Sequence, residues 1–328
     1  MMQTVECAVA SEIHLLSPTF DCEQFDHEHA DVHLAVVDSN LGPLAECSLW
    51  WSHTPPLPNH TVGTIGHYHA DCDSAAETLL ALACDRLRRA GCSYAIGPMD
   101  GNSWRRYRFV TDAGSEPPFF LEPENPPQWP LQFAAAGLCP LATYISSLNL
   151  DLGQKDIRLT KARERLRSLG VSLRSLCQGE LESYLPRLYR VCCEAFRNNY
   201  LYAELAESDF VHQYKKVLPV LRPELLIVAE QRLETVGFVF GVPDLLRESR
   251  GMPLDTFIIK TVAILPRREL SGLGSVLVGE VQQLGADMGF RRCIHALMQT
   301  GNMLARNISR VYAERIRTYS LFAKDLCA

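Results

Sequence analysis

The chain has 328 residues, enough for about two domains at roughly 150 residues each. Hydrophobic residues make up 47% and charged residues 21%, a mixture that buries a core and excludes a disordered polymer. The formal net charge of -6 gives no broad attraction to phosphate polymers, so nucleic acid is not expected as a partner.

No apolar run reaches membrane-spanning length, and MMQTVECAVASEIHLL carries acids where a secretory signal has basic residues. A cytoplasmic location and no membrane partner are expected. The 12 cysteines are scattered, some within apolar periodic segments such as Leu82-Ala83-Cys84, and read as reduced thiols used for packing. The adjacent Cys192 and Cys193 are read the same way, inside an apolar helix.

In chain order, apolar or alternating runs at His33 to Val37, Leu44 to Trp51 and Val62 to His69 predict a meander of strands. Ser74 as N-cap with Glu77 three residues on, then Leu79, Leu82, Ala83 and Leu87, predicts a helix up to Gly91. Tyr94 to Ile96 is a strand. From Gly97 to Pro130 the composition turns to Pro, Gly, Asn, Arg and aromatics, an ordered surface segment. A short helix at Trp129 to Ala136 and a strand at Leu141 to Leu148 follow, then a basic connecting helix at Ile157 to Leu169.

The second half restarts with a strand at Val171 to Leu176, helices at Glu180 to Asn198 and Ser208 to Leu218, and strands at Leu225 to Ala229, Val236 to Val242 and Phe257 to Leu265. A helix at Ser275 to Met288, a strand at Cys293 to Met298, a helix at Asn302 to Glu314 and a strand at Thr318 to Phe322 complete it. Both halves repeat strand, strand, strand, helix, strand, helix, strand. The expected division is 1–150, a connecting segment at 151–170, and 171–328.

The stretch that carries chemistry is Thr-Val-Ala-Ile-Leu-Pro from Thr261, followed by Arg-Arg-Glu-Leu-Ser-Gly-Leu-Gly-Ser and an amphipathic helix. A glycine-containing turn between a strand and a helix leaves backbone N–H groups free at the positive end of the helix dipole, a seat for a diphosphate. Gly272 and Gly274 lack the Cβ that would obstruct it. An ordinary strand-to-helix turn has the same composition, so the turn alone does not decide.

With its context, the segment Thr256 to Phe322 resembles the acyl-CoA-binding core of the GNAT superfamily of N-acyltransferases, with its strand, Q/R-x-x-G-x-G/A turn and helix. Val171 to Val242 resembles that fold's opening elements. The resemblance implies an α/β (α+β) fold of two tandem GNAT-like domains, each a mixed, mostly antiparallel twisted sheet flanked by helices, the first half lacking the glycine turn. It further implies an enzyme that transfers an acyl group, acetyl above all, from acetyl-CoA or another acyl-CoA to a primary amine of a small molecule, amino acid or peptide.

For the donor, the resemblance implies backbone contacts from Val262, Ala263 and Ile264, the diphosphate on Arg268, Ser271, Gly272, Leu273, Gly274 and Ser275, and a contact from Asn302. Asn302 also reads as a helix N-cap. The resemblance offers Tyr312 as the acid that protonates the departing thiolate, Tyr319 as a second candidate, and His295 as a base, each against an ordinary packing role. Glu269 stands where the family has Gln or Arg, an acid beside a diphosphate. Two alternatives follow: an acyl group delivered by an acyl carrier protein, or a noncatalytic binding protein with an eroded site.

In the first half the matching loop, Gly66 to Asp73, carries aspartates in place of glycines and is expected to bind no CoA. His67, His69 and Asp71 alternate on a strand, but without a fourth ligand at diagnostic spacing no metal is expected. The stretch Gly97 to Phe109, with Pro117 to Pro123, mixes arginines, amides and aromatics; Asn102, Trp104, Arg105 and Tyr107 are the expected acceptor-binding residues. An interface between the halves is the competing use.

Overall fold

The computed structural model describes residues 2–17, 20–39, 42–153, 157–301 and 313–327. The first half runs β1 (Met2–Cys7), α1 (Ala10–Leu16), α2 (Cys22–His27), β2 (Val32–Asp38), β3 (Gly42–Trp50), β4 (Val62–Ala70), α3 (Asp73–Arg89), β5 (Tyr94–Gly97), β6 (Phe109–Asp112), α4 (Gln128–Ala135) and β7 (Cys139–Asn149). After α5 (Ile157–Ser168), the second half runs β8 (Val171–Ser175), α6 (Leu181–Phe196), α7 (Glu207–Val217), β9 (Leu226–Gln231), β10 (Glu234–Pro243), α8 (Leu245–Ser249), β11 (Thr256–Ile264), α9 (Leu273–Asp287), β12 (Arg292–Gln299) and β13 (Glu314–Asp325).

These strands form one 13-stranded sheet in the order β1-β2-β3-β4-β5-β13-β7-β12-β11-β10-β9-β8, with β6 pairing β13 from the side. The pairs β4 with β5 and β11 with β12 are parallel; the other named pairs are antiparallel. Each parallel pair is bridged by a helix, α3 or α9, as a parallel crossover requires. The helices bury an apolar stripe on the sheet: Leu79, Leu80, Ala83 and Leu87 from α3, and Leu273, Val276, Leu277 and Val281 from α9.

The two closing strands are exchanged. β13, the last of the chain, pairs β5 with Phe322 opposite Gly97, while β7 pairs β12 with Asn149 opposite Cys293. The two also pair with each other, so the sheet continues without a break between the halves. The cores follow the exchange: Phe322 and Leu326 pack in the first half's core, and Leu148 packs in the second's. Burial of these apolar side chains across the midline ties the halves together.

Several elements differ from expectation. α3 begins at Asp73 behind Cys72 rather than at Ser74, and α9 begins at Leu273, two residues before the expected Ser275. β1, α1, α2, β6 and α8 were not foreseen. The expected helix from Asn302 lies almost wholly outside the described residues. All 12 cysteines are free thiols, Cys192 fully buried and Cys193 partly so.

Candidate active site

The cleft arises from two strands that part. β11 pairs β12 only from Thr256↔Arg292 to Ile259↔His295, whereas its pairing with β10 continues to Ile264. Opposite Phe240 and Gly241 the partners are Thr261 and Ile259, which leaves Lys260 as the extra residue of a β-bulge. On the other side His295 pairs Ser147 and Met298 pairs Ile145, so β12 also holds an extra residue. A bulge bends its strand and tightens its twist, and bulges on both walls separate the strands.

Leu297, at the β12 bulge, has φ 58, an unusual conformation for a side chain larger than glycine. Its backbone is held on both sides: the N–H donates to Ser146 Oγ at 3.0 Å, and the carbonyl accepts from Arg108 Nη1 at 3.1 Å. Past the parting point, Val262, Ala263 and Ile264 keep β10 on one edge and have no β12 partner on the other, and Val262 borders the opening.

Beyond β11 the chain makes a 3₁₀ turn at Arg268–Leu270, and Gly272 enters α9 with φ 83, the left-handed conformation that glycine adopts without strain. This gives the helix a glycine-capped N-terminus with no side-chain cap. Arg165 of α5, not foreseen as a site residue, braces the turn by donating to the carbonyls of Glu269, at 2.9 Å, and Ser271. Arg268, Glu269, Ser271 and Gly272 are exposed, whereas Leu273 and Gly274 are buried. Arg267 donates to Glu234 through Nη1 and Nη2, at 2.8 and 2.5 Å.

A small cavity of 190 Å³ follows the parted strands, bordered by Lys260, Thr261, Val262, His295, Ala296 and Leu297. It shares several of these residues with a larger cavity of 880 Å³, formed where the loop of residues 103–108 and residues 121–124 of the first half face α6, α7 and β11 of the second. Trp104, Arg105 and Tyr107 line the larger cavity. Asn102 departs from its expected role. It is buried behind the wall, and its Oδ1 accepts the N–H of Trp104 at 3.0 Å.

Sequence reasoning missed Lys260 on this wall, and did not single out Arg108 and Glu122 within the stretches it expected to form a pocket. Lys260 is half-buried and donates to the carbonyl of Leu121 at 3.1 Å; loss of water, and then the neighbouring Arg108, hold its pKa down to about 8. Glu122 is sealed at 1% side-chain exposure and binds Arg317 at 2.8 Å. The signal for Lys260 was a lone charge inside the apolar run Thr-Phe-Ile-Ile-Lys-Thr-Val-Ala-Ile.

The expected proton-transfer residues are placed differently. His295 is 2% exposed, its Nε2 lies 2.9 Å from Gln282 Nε2, and burial lowers its pKa to about 4. A neutral ring whose Nε2 accepts from an amide is a packed histidine, not a free base. Tyr319 is fully buried, outside both cavities. Its hydroxyl donates to Glu122 and sits 2.9 Å from Ser146 Oγ, and burial raises its pKa, with Glu122 adding to the rise. That geometry holds the proton in place instead of presenting it to a thiolate. Tyr312 and Asn302 lie outside the described residues.

The equivalent cleft of the first half is closed. β4 and β5 pair up to Thr64↔Ile96, Met99 N–H then reaches the Ile65 carbonyl at 2.8 Å, and Asp100 Oδ1 accepts His67 N–H at 2.7 Å. Gly66 permits this approach, since a Cβ there would stand 2.4 Å from Asp100 Oδ1. His67 turns inward, with Nε2 3.0 Å from Glu28 and Nδ1 3.0 Å from Ser48, while His69 and Asp71 form an exposed pair at 3.5 Å. Among the described residues, Glu28, His67 and Asp100 are a group of metal-ligand type, their atoms all within 4.8 Å of one another. Burial raises the Asp100 pKa. No described helix is long and apolar enough to cross a membrane.

No family model matches the chain, and no curated protein does. Solved structures do. A GCN5-related N-acetyltransferase from Sphaerobacter thermophilus is 12% identical with a TM-score of 0.51, covering 99% of this chain and 96% of its own. A protein of unknown function from Enterococcus faecalis V583, described as a probable N-acyltransferase, is 8% identical with a TM-score of 0.56 over 99% of this chain and 72% of its own. A GCN5-related glucosamine N-acetyltransferase region in a fungal multi-domain β-N-acetylglucosaminidase is 12% identical with a TM-score of 0.55; it covers 99% of this chain, which spans only 38% of that protein. At such identities the likeness concerns architecture. The parted parallel strands, the glycine-capped helix and these structural matches show that the chain has the fold of the GCN5-related N-acetyltransferases.

Proposed function

We propose that the chain is an N-acyltransferase that moves an acyl group, acetyl in the first instance, from acyl-CoA to an amine in the large cavity. The observation that carries this reading is the course of β11: it loses β12 beyond Ile259, lines the 880 Å³ cavity with Lys260, Thr261 and Val262, and runs on to Ile264 ahead of the glycine-capped start of α9. Residues Ser271 to Ser275 with Arg268 would seat the diphosphate, and Val262 to Ile264 the pantetheine arm. The arm then delivers the thioester beside the Lys260 bulge.

The amine nitrogen attacks the thioester carbon; a C–N bond forms, the C–S bond breaks, the amine proton passes to water and the thiolate takes a proton from an acid, assigned to Tyr312. Cavity walls from both halves position the amine, which lowers the entropic barrier to attack. In this reading residues 171–328 carry the donor site, and residues 1–150, joined through 151–170, complete the acceptor site.

The test is a thermal-shift titration with acetyl-CoA and longer acyl-CoAs, followed by a thiol-release assay with a panel of amines. Melting temperature is expected to rise with concentration of the preferred donor. No rise with any acyl-CoA would sink the reading as stated. A second reading has the acyl group arrive on a carrier protein's phosphopantetheine. The exposed carboxylate of Glu269, repulsive to a free diphosphate, favours it, and acyl-carrier donors belong in the same titration.

A further inference from the structure

The charges on the large cavity do not balance. Four cationic side chains line it, Arg105, Arg106, Arg108 and Lys260, with Glu122 and Glu124 as the acids. Arg105 is engaged in the wall, 4.0 Å from the Glu28 carboxylate, and Arg106 donates to the carbonyl of Glu124. Glu122 is committed to Arg317, and Glu124 is exposed. Arg108 and Lys260 remain. Among the described residues neither has a carboxylate within ion-pair distance, and their hydrogen bonds go to the neutral carbonyls of Leu297 and Leu121.

Arg108 is also oriented. Its guanidinium lies 3.8 Å from the ring centre of Tyr107 and 4.1 Å from that of Tyr144, two rings 5.7 Å apart at 86° to each other. A cation seated in such an aromatic corner is partly compensated and loses little freedom on binding an anion. Guanidinium has five N–H donors, and the bond to Leu297 uses one of them. Its planar fork matches the two oxygens of a carboxylate. Lys260 reaches the same cavity from the bulge where the thioester would arrive, and Arg108 is close enough to depress its pKa while Glu122, already held by Arg317, acts more weakly the other way.

We propose that Arg108 and Lys260 together clamp a carboxylate, so that the acceptor is an amine that also bears a carboxylate, an amino acid or short peptide. This narrows the acyl-transfer reading and rests on it for the amine. The clamp sets the acceptor's carboxylate near the bulge, and the aromatic wall of Trp104, Phe196, Tyr202, Tyr214 and Phe240 receives its side chain.

The experiment is a thermal-shift titration of the full chain with the common L-amino acids and dipeptides, their carboxamides, and inorganic phosphate. At least one amino acid or dipeptide is expected to raise the melting temperature, with its carboxamide at least about tenfold weaker. Arg108→Gln and Lys260→Gln, checked for cooperative melting, are each expected to weaken it by about tenfold or more, and Lys260→Arg to restore it. Equal binding of acid and carboxamide, preference for phosphate, folded variants that bind like wild type, or no binding by any amino acid or dipeptide would overturn the clamp. The wild-type comparison decides even if a variant fails to fold. If carboxylate discrimination holds while no acyl donor binds, acyl transfer fails and the clamp stands; if acyl donors bind and no carboxylate does, the reverse.

Discussion

The carboxylate of Asp100 accepts the backbone N–H of His67 at 2.7 Å, where β4 leaves β5, and so occupies the edge that the second half leaves open to a cavity. Calorimetry is expected to show one acyl-CoA bound per chain. Asp100→Ala should cost about 1–3 kcal/mol in urea unfolding, because a partly buried N–H loses its acceptor. It should not create a second CoA site, since Asp71 and Cys72 lead into α3 without a glycine turn. Asp100→Asn keeps an acceptor oxygen and should cost less. A stoichiometry of two in the wild type contradicts this account.

Gly272 supplies a second prediction. At φ 83, with the Cβ of Ala162 only 3.4 Å from where its own would be, it tolerates few side chains. Asn and Asp both reach the left-handed region, so they separate charge from strain. Gly272→Asp should weaken acyl-CoA by about a hundredfold relative to Gly272→Asn, within the roughly 1–4 kcal/mol of a carboxylate about 4 Å from a phosphate. Both should unfold cooperatively. Equal affinities in the two variants would remove the diphosphate from this turn.

What was legible in the sequence was local. Periodicity located the strands around Leu34, Leu49 and Ile65 and the helix around Leu79 because apolar spacing reports directly which face is buried. The glycine turn at Gly272 and the aromatic-arginine stretch at Trp104 to Tyr107 were read from composition. The exchange of β7 and β13 was not legible: alternation tells which side of a strand faces the core, not which distant strand lies beside it. β1 was missed because, as the edge strand, it buries only Cys7 fully. The bulge at Lys260 depends on register with β10, which no single segment encodes.

The two tyrosines make separable predictions. Tyr312→Phe should lower kcat by about a hundredfold with little change in KM, the scale of a general acid's contribution. Tyr319→Phe should leave kcat within about twofold and cost about 1–2 kcal/mol of stability, since its hydroxyl bonds Glu122 and Ser146 inside the core. Steady-state kinetics and urea melts of both variants check this. A loss of turnover confined to Tyr319→Phe would reverse the assignment.

His295 gives the stability a pH dependence of known sign. Its ordinary pKa of 6.5 applies to the unfolded chain, and burial lowers it to about 4 in the fold. Between these values the unfolded chain binds a proton that the folded chain refuses, so stability is complete above 6.5 and falls as the pH drops toward 4. The full span is at most about 3 kcal/mol. Carboxylates titrate in the same range, so the informative quantity is the difference between wild type and His295→Gln, which keeps a polar side chain near Gln282 but has no ring to titrate. In urea unfolding at pH 7 and at pH 4.5, the wild type should lose more stability than the variant. Equal losses would mean that the fold does not depress the imidazole's pKa, which would return it to consideration as a base.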